Sequence, residues 1–153
     1  MTCLKKVAPL FPSGCEEILR RELRDTRKDH RGNAFEALKL ASREWPEVGC
    51  LHLDELIREE EGDLRIRGSM ILRTIASKGG AEAWDLIGWS LQDEEVRVRR
   101  NASKTLTILA DVEPRVAVIL VESSIGEDDR QIRGSVIKAV SYTHLTLPTT
   151  NSV

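Results

Sequence analysis

Apolar residues recur along this chain at helical spacing. After Arg31 they fall at Ala34, Phe35 and Leu38, after Arg67 at Met70, Ile71 and Ile75, and after Arg99 at Ala102, Leu106 and Leu109. Such intervals lay a single apolar stripe along one face of a helix. A leading helix is marked upstream of Arg31, Arg99 and Arg133. Leu19, Ile87 and Val121 lie twelve residues before them, and Leu23, Leu91 and Ile125 eight residues before. The second unit departs from this register: Leu56 and Ile57 precede Glu59-Glu60-Glu61-Gly62, so a different turn is predicted there. Trp45-Pro46, Gly79-Gly80 and Glu113-Pro114 punctuate the units. Proline suits the first turn of a following helix, and glycine ends a preceding one.

The helix starts repeat. Asp63-Leu-Arg-Ile-Arg67, Glu95-Val-Arg-Val-Arg99 and Asp129-Arg-Gln-Ile-Arg133 each set an acid four residues before an arginine, with a fainter copy at Arg31-Gly-Asn-Ala34. The arginines Arg31, Arg67, Arg99 and Arg133 recur, somewhat unevenly, at a period of about 34 residues, which predicts stacked two-helix units. The acid is expected to cap the helix and complement its dipole, and Ile66, Val98 and Ile132 to anchor its start in the core. Asp63, Arg67, Glu95, Arg99, Asp129 and Arg133 are therefore read as structural repeat positions, arginine pairing with acid along the stack.

Composition narrows the class. The chain has 153 residues, 41% apolar and 31% charged, with a formal net charge of -2. That length suits one domain with enough apolar content to offset ordering entropy. The longest aliphatic run, Val116 to Val121, falls far short of the roughly 20 residues a membrane span needs. A soluble cytoplasmic protein is expected. Cys3, Cys15 and Cys50 are odd in number and widely spaced, and match neither a disulfide framework nor a zinc pattern.

These motifs resemble the HEAT-like repeat family, particularly its short bacterial form, over residues 13–139. The resemblance implies an all-α fold: an α-solenoid of about four antiparallel helix pairs, with a surface used for partners. Protein–protein binding or scaffolding through the exposed residues of the second helices is the implied function, without catalysis. A second resemblance offers an alternative. Trp84-Asp85-Leu-Ile-Gly88 and Val98-Arg99-Arg100-Asn-Ala102 are similar to the Trp-Asp-x-x-Asp region and Arg-Arg-x-Ala helix of bacterial alkylated-base DNA glycosylases. These too are built of HEAT-like repeats. Gly88 stands where that motif has its catalytic carboxylate, so the resemblance supplies no catalytic residue. It implies DNA binding, with Arg65, Arg97 and Arg100 contacting phosphate and Trp84 and Trp89 stacking on bases.

The remaining chemistry is thin. His30 and His52 lack a partner at ligand spacing, and Gly79-Gly80 lacks the lysine of a phosphate loop. Neither metal nor cofactor is expected. Cys15 beside Glu16 and Glu17 is predicted to have a raised thiol pKa, unsuited to nucleophilic use. Charge is uneven: residues 44–63 hold 8 acidic and 1 basic side chain, net -7, which reads as a solvated face.

From Val140 to Thr150 the pattern changes. Four threonines and no charge interrupt an amphipathic stripe, and the run resembles the translated adapter of transposon-based sequencing libraries. Residues 140–153 are accordingly expected to be a non-native tail, with native sequence ending near Ala139. That would truncate the fourth pair and leave Val136 and Ile137 to face water or drive self-association.

Overall fold

The computed structural model describes residues 2–146, with side chains described for residues 3–143. Within them the fold is all-helical. A short α1 (Thr2–Val7) lies on the first of four helix pairs. The pairs are α2 (Pro12–Leu23) with α3 (Lys28–Glu44), and α4 (Pro46–Leu56) with α5 (Gly62–Ser69) and α6 (Leu72–Ile75). They continue as α7 (Gly80–Leu91) with α8 (Val96–Ser103) and α9 (Leu106–Val112), and α10 (Pro114–Ser123) with α11 (Arg130–Thr146).

The helix starts share one register. First helices begin at Pro12, Pro46, Gly80 and Pro114, and second helices at Lys28, Gly62, Val96 and Arg130, with the same step throughout. Proline opens α2, α4 and α10, where a missing N–H costs nothing. Gly80, at φ +59°, takes that place in α7. Second helices follow one another in space: α3 on α6, α5 on α8, and α11 on α8 and α9, while α4 packs on α7.

This uniform period corrects the sequence reading of the second unit. The equivalent of Arg31, Arg99 and Arg133 is Arg65, two positions before Arg67. Leu53 then falls in line with Leu19, Ile87 and Val121, all four buried, so no altered turn is needed. The anchor of that helix start is likewise Leu64, 4% exposed, rather than Ile66, which is half-buried.

Two second helices break where two run through. Ser69 and Ser103, one repeat apart and buried, donate their hydroxyls to the carbonyls of Ile66 at 2.6 Å and Arg100 at 2.9 Å. Hydroxyls that return to the preceding turn compete with the helical ladder and bend it. Phe35 and Ile137 stand at this position in α3 and α11, which continue unbroken.

The helix α11 runs past Ala139 to Thr146, so the Thr-rich run does not end it where the sequence pattern breaks. Ala139 and Thr143, one turn apart, are both buried. The hydroxyls of Ser141 and Thr143 donate to Ile137 and Val140 carbonyls at 3.1 and 2.8 Å. The rest of the expected tail, residues 147–153, lies outside the described residues. No helix among the described residues is long and apolar enough to cross a membrane.

Candidate partner-binding groove

Two of the repeated arginines bridge neighbouring loops. Arg65 donates from Nε to Asp93 at 3.1 Å and from Nη2 to Glu94 at 2.9 Å, and its Nη1 holds the carbonyls of Glu59 and Glu60. Arg99 repeats this one unit on, with Glu127 at 2.9 Å and the carbonyls of Asp93 and Glu94. Each arginine thus fastens the loop behind it and the loop ahead. In the first unit Arg31 meets Asp63 and Glu61 instead, and Glu59 pairs with Arg24.

The other repeat positions divide. Glu95 caps α8 by accepting from the Arg97 N–H at 3.2 Å, and Asp129 accepts from the N–H groups of Gln131 and Ile132. Asp63 makes no such cap. It pairs with Arg67 at 3.0 Å along its own helix, and the Arg67 guanidinium lies 6.0 Å from the Phe35 ring.

The residues expected to meet DNA are dispersed or neutralised. Arg65 is 8% exposed and committed to Asp93, and Arg100 is held by Asp129 at 2.7 Å. Trp84 packs against the core. Arg97 is exposed at the start of α8. Trp89 is 65% exposed, but among carboxylates.

Those carboxylates line a groove of about 590 Å³ across α2, α4 and α7. Helical spacing builds its walls. Glu47, Leu51 and Asp54 share one face of α4, and Glu82, Asp85 and Trp89 share one face of α7. Glu16 closes the α2 side, and buried Val48, Cys50 and Leu86 line the groove between the walls. Five carboxylates and one cation, Arg58, thus line the groove, and Glu16 also lies 3.9 Å from Arg20. The Arg58 guanidinium donates to Asp54 at 2.8 Å and lies 5.7 Å from the centre of the Trp89 ring.

Two thiols register their surroundings. The Cys50 thiol is pushed up to about 11 by burial and by the charges of Glu82 and Glu47. Cys15 is also raised, through burial and then Cys3 rather than through the adjacent glutamates. Sequence reading missed the groove because its walls lie far apart in the chain, from Glu16 on α2 to Asp85 on α7. The acidic run of residues 44–63 was its one visible signal. Compared with known families and curated proteins, the chain matches no family model and no curated relative.

Proposed function

We propose that this chain is a partner-binding module, a short α-solenoid of HEAT-like helix pairs that holds a cationic segment of another protein in the groove on its first helices. The observation that carries the reading is Trp89, largely exposed among five carboxylates with a guanidinium already over its ring. An incoming arginine or lysine would find the same surroundings as Arg58: an aromatic face on one side and a carboxylate on the other. The field of the groove would steer such a segment, and packed helices keep the site pre-formed.

The test is titration of a labelled peptide alternating arginine with apolar residues, at low and physiological salt. Binding should weaken with salt, and Trp89→Ala or the pair Glu82→Gln with Asp85→Asn should each weaken it about tenfold. Equal affinity of these variants and the unaltered chain would sink the proposal. So would tighter binding of duplex DNA than of the peptide.

A further inference from the structure

The cation already in the groove is loosely held. Arg58 lies two residues past the end of α4, and its side chain is 60% exposed. Its Nε and Nη2 both donate to a single acceptor, Asp54 Oδ1, at 3.2 and 2.8 Å. Among the described residues no backbone carbonyl receives the Arg58 guanidinium. Arg65 differs on each count: it is buried, and bonded to two carboxylates and two carbonyls. An exposed ion pair four residues apart contributes little, and so does an exposed cation–π contact. Another cation can therefore take the place of Arg58 at small cost, which is not true of Arg65.

Arg58 also holds a place that an incoming cation would want. Trp89 is the one aromatic side chain lining the groove, and Arg58 lies over its ring while bonded to one of the five carboxylates. A second guanidinium cannot stack on that face while Arg58 covers it, and two like charges there would repel. Space for Arg58 to move is present. With Trp89 it borders a second hollow of about 320 Å³, lined also by Ile57, Gln92 and Asp93. Turning toward that hollow needs only rotation of an exposed side chain, with no change in the packed helices.

We propose that Arg58 is a built-in competitor for the cation site. It covers Trp89 and engages Asp54 in the free chain, and it swings aside when a partner's arginine takes the ring. This rests on the partner-binding reading above and adds an intramolecular brake to it. Removing the brake should tighten binding, although the groove loses a residue that lines it.

The test is titration of the same peptide of alternating arginine and apolar residues, at physiological salt. The parent chain, Arg58→Ala, Trp89→Ala and the double variant are compared. Arg58→Ala should bind about three- to tenfold more tightly than the parent. With Trp89 absent the same change should yield a smaller gain, because the ring is no longer contested. Arg58→Gln, which keeps the aliphatic stem, stands in if the alanine variant loses helical circular dichroism. In the parent, the Arg58 Nε–H resonance should move on saturation toward its position in Trp89→Ala. Equal gains with and without Trp89 would show that Arg58 acts by charge alone, and would overturn the proposal. So would no gain at all, or a resonance that stays in place while the peptide binds. Peptide bound by neither the parent nor Arg58→Ala would remove the partner-binding reading itself, and this proposal with it.

Discussion

Arg65 ties two helix pairs together: its Nε reaches Asp93 at 3.1 Å while its Nη1 holds the Glu59 and Glu60 carbonyls at 2.9 Å each. Both charged side chains of the pair are only 10% exposed. Removing one partner strands the other charge and two carbonyls. Arg65→Ala should therefore destabilise the fold by about 3 kcal/mol. Arg65→Lys should recover little, since an ammonium cannot span the fork. Urea unfolding of the two variants checks this, and a lysine variant as stable as the parent would contradict it.

The ion pairs between repeats also predict how stability depends on pH. Glu127 is held below the usual carboxylate range by its hydrogen bond from Arg99, against a smaller cost of burial. Asp129 is drawn down to about 2, chiefly by Arg100. A carboxyl whose folded pKa is depressed contributes stability above its unfolded value, near pH 4, and loses it as pH falls through the folded one. Buried His52, lowered by desolvation, adds an earlier loss that begins below pH 6.5. Urea midpoints should fall in two stages on acidification. Arg100→Gln should raise the Asp129 pKa, which carboxyl NMR reads directly.

Gly49 lies where α4 meets α3. A Cβ there would sit 2.6 Å from the Ser42 hydroxyl and 2.7 Å from an Ile75 methyl. Gly49→Ala should cost about 2 kcal/mol through overpacking. Gly32, inside α3 with open space around its Cβ position, should behave oppositely. Gly32→Ala should gain about 0.5–1 kcal/mol from helix propensity. Thermal melts of the two alanine variants, expected to move in opposite directions, decide the point.

Thiol reactivity tests the groove from within. Cys3 is exposed, whereas Cys15 and Cys50 are buried. A disulfide reagent should label Cys3 quickly in the folded chain and all three thiols only in denaturant. The Cys50 pKa, raised from 9.0 to about 11, makes its contribution to stability complete below pH 9 and lost as pH rises through about 11. Replacing Glu82 and Glu47 by glutamine should lower that pKa, measurable by the pH dependence of alkylation in Cys3→Ser. A pKa that stays fixed would show that burial alone sets it.

Several features were legible in the chain alone. The helical apolar spacing, the helix-opening prolines and a recurring acid–arginine pattern determined helices, their pairing and the approximate repeat. These are local properties, fixed by backbone sterics and by which face of a helix must leave water. The choice between Arg65 and Arg67 was not local. Both sit near an acid in sequence, yet side chains two positions apart on a helix point in nearly opposite directions. Only packing of one pair on the next decided that Arg65 faces the following loop while Arg67 turns to Phe35. The groove belongs to the same class: its acids and Trp89 come from three helices and meet only when those helices lie side by side. Sequence determined the elements and their period; tertiary structure decided which charges are consumed in holding neighbouring helices together and which are left facing solvent.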